Sequence, residues 1–546
     1  MERKILDRKY GVVYTPDSLA EFVAVLMCRF SDISNNEEAL ILDPASGECS
    51  LLRAIKKRLG THHKYVGIDI DYEATQKADE TFDIIHDDTI LPQNVKGTTD
   101  EFWKEKIHCI NMIIANPPWS SEKIYDKKEL SDAGYTLISG QYDSYVLFIE
   151  LAYKILCDNG IMAFIIPDSI FDAQNEMLRK FLVEKTQIKV IARLGEKIFD
   201  EVNRATTVLV CKKSEPDENS ITECFRLSTD NRKEYLLGKG TLLSFYDEEV
   251  HSVRQARFVN NGSYHFDIDT HENEEALIKK ILINSIEWKK EFVFGRGVEI
   301  SKSGKVVSCS NCGKAQGYAN KQIEIGFKKC IYCEKDIFFS SALISNVITP
   351  EYENGERVIY VGENIQRYKI QGECYIKPNI DGINYKTMGL YNSPKILIRK
   401  TGLGIYATVD YSGNYTSQTV YILKYARESI VPLEYYLALI NSRVVYYYYL
   451  KVYGENEWKS HPYLTKQIIF SLPLKSYTGD ALDGEIVRLA KSLIKKYNRS
   501  IDLQLEKLIM TKYELTDQEQ QLIVDELNRL PNLSAINNMK MEAHNV

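Results

Sequence analysis

Three short apolar runs in the first ninety residues each stop at an acidic residue, and a fourth stops at two prolines. They are Ala39-Leu40-Ile41-Leu42-Asp43, Tyr65-Val66-Gly67-Ile68-Asp69, Asp83-Ile84-Ile85-His86-Asp87-Asp88 and Ile110-Asn111-Met112-Ile113-Ile114-Ala115-Asn116-Pro117-Pro118-Trp119. Runs of this kind read as parallel strands covered on both faces. With apolar-periodic segments between them, the pattern predicts a Rossmann-like α/β domain. Proline has no N–H for a sheet ladder, so the fourth strand must end at Asn116. In an open α/β sheet ligands bind outside the carboxyl ends of the strands, which sets Asp43, Asp69, Asp88 and Asn116 along one crevice.

The loop after the first strand, Asp43-Pro44-Ala45-Ser46-Gly47-Glu48-Cys49, has one glycine where a dinucleotide fingerprint needs three. An acid at the strand end disfavours a pyrophosphate and favours a cationic or amine-bearing ligand, with Asp43 as its partner. Asp69 stands where a carboxylate can take both hydroxyls of a ribose. The Asn116 amide and the Pro117 carbonyl offer two acceptors beside the flat Trp119 ring, an arrangement that suits a planar amine. Thr15-Pro16 reads as the start of a helix over Ser18 to Phe30, and Tyr145 to Leu156 as another helix. Gly160 to Pro167 and Lys189 to Leu194 read as further strands, with Thr206 to Cys211 closing the sheet.

A chain of 546 residues is too long for one core. The expected layout is a first domain over 1–215, a polar connecting subregion over 216–291, a mixed α+β domain over 292–475 and a helical segment over 476–546. Its helices are expected over Ile486 to Tyr497 and Leu503 to Tyr513, then behind a capping box at Thr516-Asp517-Gln518-Glu519. The start lacks the apolar core of a signal peptide, and the longest apolar stretch, Tyr435 to Leu450, is broken by Asn441 and Arg443. A cytoplasmic protein with no membrane partner is expected.

The net charge of −7 is unevenly spread: Phe292 to Lys475 holds 23 Lys/Arg against 15 Asp/Glu, leaving −15 for the rest. That stretch also carries 21 of the 36 tyrosines. Tyrosine interleaved with Lys and Arg is what a nucleic-acid face uses. Arg399 and Lys400 end an apolar strand before Thr401-Gly402-Leu403-Gly404, a turn expected to present them outward, Lys400 to phosphate and Arg399 to a base edge. Cys309-x-x-Cys312 and Cys330-x-x-Cys333, with 17 residues between, have the spacing of a zinc ribbon with a closed, structural site. The eleven cysteines do not suggest a disulfide scaffold.

The series Gly11-x-x-Tyr14-Thr15-Pro16, Asp43-Pro44-Ala45-Ser46-Gly47, Gly67-Ile68-Asp69, Asp88-Thr89-Ile90 and Asn116-Pro117-Pro118-Trp119 resembles the gamma-class N6-adenine DNA methyltransferases. The part containing Ile396 to Lys400, Asp410 to Tyr415 and Tyr435 to Ser442 is similar to the TaqI-type specificity domain. The resemblance implies an S-adenosylmethionine-dependent catalytic domain over 1–215 and a target-recognition domain over 292–475 that includes the ribbon at 309–333. It implies cofactor binding by Tyr14, Thr15, Pro16, Asp43, Pro44, Ala45, Gly47, Asp69, Ile70, Asp88 and Asn116, with Asp87 as the alternative to Asp88. It implies catalysis by Asn116, Pro117, Pro118 and Trp119, and stacking of a flipped adenine between Trp119 and Phe199. Double-stranded DNA is the implied substrate in a bacterial or archaeal cell, with a separate restriction endonuclease or defence subunits as candidate partners. Cys49 stands where many relatives carry a second glycine and is expected to narrow the methionine end of the pocket. Asn-Pro-Pro-aromatic motifs also occur in enzymes that methylate RNA or a protein glutamine. The remaining alternative is a catalytically silent DNA-binding defence component.

Overall fold

The computed structural model describes residues 15–33, 38–76, 80–119, 125–140, 142–199, 204–301, 304–353, 355–392, 394–454, 463–531 and 533–541. The chain divides into two compact units, Met1–Glu275 with Lys451–Ser460, and Ala276–Leu450 with His461–Val546.

The first unit is built on a nine-stranded sheet in the order β3-β2-β1-β4-β5-β7-β6-β8-β9. The strands are β1 (Leu40–Asp43), β2 (Lys64–Asp69), β3 (Asp83–His86), β4 (Ile110–Ala115), β5 (Leu156–Pro167), β6 (Gln187–Gly195), β7 (Thr206–Lys212), β8 (Ile221–Arg226) and β9 (His251–Arg254). β3, β2, β1, β4 and β5 are parallel neighbours, and β7 enters antiparallel between β5 and β6. Because the chain leaves β1 towards β2 and β3 and then returns to β4 on the other side, the strand order reverses between β1 and β4. That reversal opens a crevice at their carboxyl ends, where open α/β sheets take ligands.

Both faces of the sheet are covered, as the near-continuous apolar runs require. Ile41, Met112 and Ile114 pack on one side with α1 (Asp17–Arg29) and α2 (Ser50–Leu59). Leu42, Ile113 and Ala115 pack on the other with α3 (Thr99–Ile107), α4 (Tyr145–Ile155) and α5 (Glu176–Lys185).

Two sequence expectations need correction. Thr206–Lys212 does not close the sheet but lies inside it, and the segment expected as a connecting subregion adds β8 and β9 beyond it. Thr222, Cys224 and Phe225 are the buried residues of β8, a pattern with too few apolar side chains to register as a strand in the sequence. Cys109 and Cys157, near the starts of β4 and β5, form a disulfide. Among the described residues, no helix is long and apolar enough to cross a membrane.

In the second unit an antiparallel sheet runs in the order Phe292–Arg296, Val420–Tyr425, Lys395–Arg399, Ala407–Asp410. The carboxyl-terminal helices are Ala481–Lys495, Arg499–Lys512 and Asp517–Asn528, the last opened by the reciprocal Thr516–Glu519 capping box. They tie to the rest of the unit through charge. Fully buried Arg443 reaches Asp502 at 2.9 Å and Glu506 at 3.2 Å, and Arg367 reaches the other Asp502 oxygen at 2.6 Å. Burial alone would raise the Asp502 carboxyl, but the two guanidiniums outweigh it and hold it at about 2. Removing one member would strand a buried charge at a cost of about 3–5 kcal/mol.

Candidate active site

Asp43 ends β1 almost fully buried, accepting the Ala45 N–H at 3.0 Å. Burial lifts its carboxyl to about 8, and the nearby Asp69 adds to the rise. At neutral pH such a group is largely the protonated acid, and a cation bound beside it would displace that proton. The loop that follows is held over β2: the Ser46 N–H donates to the Ile68 carbonyl at 3.0 Å, and the Gly47 N–H to Asp69 Oδ2 at 2.7 Å. Glycine at 67 permits this approach, since a Cβ there would lie 2.8 Å from Ser46 Oγ and from Ile84. Gly47 itself has φ +48°, and a Cβ on it would meet nothing within 4 Å. The space in front of this loop is open, and its one obligatory glycine is in place.

Asp69 ends β2 with its second oxygen accepting the Asp71 N–H at 2.8 Å. Burial raises its carboxyl from the ordinary range, as it does for Asp88. A carboxylate offers about four lone-pair positions, so both oxygens of Asp69 keep capacity for a diol. Ile70 follows with its side chain 46% exposed. Asp88 Oδ1 accepts the N–H groups of Ile90 and Leu91 and the Tyr125 hydroxyl at 3.1 Å. Asp87 faces Lys106 at 3.9 Å instead. Pro44 is fixed by the Thr89 hydroxyl on its carbonyl at 2.6 Å.

Across the crevice, β4 ends at Ala115 and gives way to Asn116-Pro117-Pro118-Trp119. Asn116 Nδ2 donates to Thr15 Oγ1 at 3.0 Å. That bond fixes the amide with its nitrogen towards the helix start at Pro16, where the Pro16 carbonyl accepts the Leu19 and Ala20 N–H groups, and its oxygen the other way. Tyr14 lies outside the described residues. The Ser144 hydroxyl donates to the Pro118 carbonyl. Arg204 Nη1 donates to the Trp119 carbonyl at 2.6 Å, and Trp119 Nε1 to the Ile165 carbonyl at 3.3 Å. Ser144 and Arg204 escaped the sequence reading, because one serine at a helix start and one arginine before a strand carry no motif.

Four expected placements differ. Trp119 and Phe199 do meet, but edge to face at 5.2 Å and 87°, both buried, so no parallel slot separates them. Both rings belong to one apolar cluster, and an edge-to-face contact is an ordinary packing of such a pair. Cys49 does not narrow the loop's open side: its side chain is fully buried in the apolar cluster with Ile41 and Leu52, and its thiol is pushed up to about 12 by burial. It adopts φ 63°, a left-handed conformation that favours glycine.

Arg399 does not project outward. Its Nε donates to the Thr401 carbonyl at 2.6 Å, and its guanidinium lies over the Tyr406 ring, because the tight turn brings both within reach. Lys400 is half-buried near the Tyr421 ring. The basic surplus of 292–475 is partly internal as well, since Arg367, Lys395, Arg443 and Lys451 are buried in ion pairs with Asp502, Asp410, Glu506 and Glu274.

The four ribbon sulfurs come together. Cys309 and Cys333 are 3.7 Å apart, as are Cys312 and Cys330, and all four lie within 4.8 Å of one another. A tetrahedral ion with bonds of about 2.3 Å needs edges of about 3.8 Å, so the thiol set fits zinc. Gln316 Nε2 donates to Cys330 Sγ at 3.2 Å.

Residues 5–256 match the N-6 DNA Methylase family, and residues 357–474 match the TaqI-like C-terminal specificity domain. The chain is 25% identical over 239 residues to the type I restriction enzyme MpnII methylase subunit of Mycoplasma pneumoniae, covering 39% of this chain and 42% of that protein. It is 26% identical over 201 residues to the type II methyltransferase M.TthHB8I of Thermus thermophilus, covering 35% and 42%. It thus spans about two fifths of the length of these curated relatives. A structure of the type ISP restriction-modification enzyme LlaGI, as a nuclease-deletion mutant with a DNA substrate mimic, covers 90% of this chain and 48% of its own at TM-score 0.51 and 15% identity. At that identity the likeness is one of fold. Residues 5–256 therefore belong to the N-6 DNA methylase family and residues 357–474 to the TaqI-like specificity-domain family, and the chain joins the two.

Proposed function

We propose that this protein is a site-specific DNA methyltransferase that moves a methyl group from S-adenosylmethionine to the N6 amine of an adenine flipped out of duplex DNA, as the modification part of a restriction-modification or phage-defence system. The observation that carries this reading is the juxtaposition, at one strand-order reversal, of the open Gly47 loop with its acids and the Asn116-Pro117-Pro118-Trp119 turn. Asp43 and the Gly47 loop would hold the cationic methionine end, Asp69 the ribose hydroxyls, and Asp88 with Ile70 the adenine. The bound cofactor supplies a sulfonium methyl, an electrophile that needs no covalent enzyme intermediate. With Thr15 fixing the Asn116 nitrogen, the Asn116 oxygen and the Pro117 carbonyl accept the two N–H bonds of the target amine. They return electron density to a nitrogen whose lone pair is otherwise delocalised into the ring. Holding amine and methyl in line is the larger part of the acceleration. Extruding the base costs a few kcal/mol, which stacking on Trp119, once Phe199 gives way, offsets.

In this reading the second unit supplies target recognition, its ribbon stiffened by a structural zinc, and a cognate endonuclease or defence subunit is the candidate partner. The test is expression in a host without adenine methylation, followed by modification-sensitive sequencing. N6-methyladenine at one defined motif is expected; modified RNA or protein with unmodified DNA would sink the proposal. Metal analysis is expected to find about one zinc per chain, lost in Cys309→Ser together with protease resistance of residues 309–338, while cofactor binding persists. A metal-free wild-type chain that folds normally would remove the zinc.

A further inference from the structure

Resting on that reading, we infer that Ser144 and Arg204, backed by Asp143, are positioning residues that clamp the catalytic turn by its two carboxyl-side carbonyls. Pro117 and Pro118 have no N–H, so the middle of the turn can be fixed from outside only through its carbonyls and side chains. The Pro118 carbonyl takes the Ser144 hydroxyl, and the Trp119 carbonyl takes Arg204 Nη1 at 2.6 Å.

Ser144 stands at the start of α4 in helical backbone geometry and makes no side-chain cap bond. Its hydroxyl serves the catalytic turn instead. Asp143, 2% exposed, faces Arg204 Nη2 at 3.8 Å and accepts the Ser169 hydroxyl at 2.6 Å, which keeps the carboxylate aimed at the guanidinium.

Arg204 also lies five residues after Phe199. It therefore ties the segment that carries one ring of the base slot to the backbone of the other, and sets where Trp119 stands when Phe199 turns away. The Arg204 side chain is 39% exposed, so its ion pair adds little to global stability. A displacement of about 1 Å at a reacting group can cost about 10²-fold in rate. The clamp should therefore matter to turnover far more than to folding.

The experiment uses the full chain with Arg204→Ala, Arg204→Lys and Ser144→Ala. Site-resolved hydrogen exchange without DNA is expected to speed up at the Asn116 and Trp119 amides, the ones within 115–119 that flank the clamped turn, and to stay unchanged in β1 and α2. Single-turnover methylation should fall about 10- to 100-fold in the two alanine variants, with cofactor affinity, duplex affinity and Tm unaltered. Fluorescence of 2-aminopurine at the target position should report a flipped base that is stacked less well. Arg204→Lys, which keeps a donor, should recover part of the rate. Unchanged exchange at 115–119 would overturn the clamp, as would an unchanged rate or a rate loss that tracks a fall in Tm. If the unaltered chain leaves DNA unmodified, the proposed function fails, while the exchange measurement still decides the clamp.

Discussion

Replacing Asn116 with alanine is expected to lower methyl transfer by about 10²- to 10³-fold, the usual consequence of removing one preorganised hydrogen-bonding group from a charge-developing centre. Cofactor and duplex affinities should stay close to wild type, because in the proposed mechanism the lost oxygen accepts from the reacting amine and binds neither ligand. The neighbouring turn keeps the Ser144 and Arg204 bonds, so its shape should survive the substitution. Thr15→Val, which removes the acceptor of Asn116 Nδ2, should give a smaller loss in the same parameter. Single-turnover rates and calorimetry on the same preparations separate the two effects. Methylation by Asn116→Ala at near wild-type rate would remove the amide from the mechanism.

The second large effect is expected at the acids. Asp69→Ala should weaken S-adenosylmethionine binding by about 10- to 100-fold, since each hydrogen bond to a charged group contributes about 1.5–3 kcal/mol. Asp69 also holds the Gly47 N–H, so Asp69→Asn, of equal volume, distinguishes lost acceptance from a loosened loop. Asp43 adds a pH signature. Its carboxyl sits at about 8 because of burial, so below that pH a cationic ligand must displace a proton to bind. Affinity should rise with pH, by up to about 10-fold per unit, and level off above pH 8. In Asp43→Asn the profile should be flat. Stability of the unliganded chain runs the opposite way: a raised folded pKa favours the fold fully below the unfolded value near 3.8 and loses that contribution as pH rises through 8. Calorimetry across pH 6–9 in buffers of different ionisation enthalpy measures the proton release directly. A pH-independent wild type would show that Asp43 does not face the cation.

Much of the first unit was legible because strand ends and turn chemistry are local properties. An apolar run that meets Asp43-Pro44 or Pro117-Pro118 has to stop there, and those stops line the candidate site. The capping box at Thr516 and Glu519 was legible for the same reason. β8 was not, because its partner β6 lies about thirty residues earlier and its own apolar content is small. Sequence reading placed Arg399 at the end of its strand, where it lies, but expected its guanidinium to face outward. The spacing of a turn says nothing about which carbonyl will capture a long side chain, and here Thr401 does. Similarly, a charge count over 292–475 could not tell that Arg443 and Arg367 are buried against Asp502. The clamp at Ser144 and Arg204 was invisible because it joins residues 26 and 85 positions away from their partners.

The return of the chain to its first unit sets a timetable for synthesis. Lys451 pairs with buried Glu274 at 3.0 Å, its carbonyl accepts the Thr270 hydroxyl from 181 residues away, and the Tyr453 carbonyl accepts from Arg193, 260 residues away. At ordinary translation speeds the ribosome needs roughly 10 to 35 s to travel from Glu275 to Lys451. For that interval the catalytic unit has its sheet but lacks the strand of chain that satisfies Glu274 and Thr270. The nascent protein must wait with an unfinished flank, and a fragment ending near residue 291 would carry that defect permanently. The first unit is thus complete only after most of the second unit has been made.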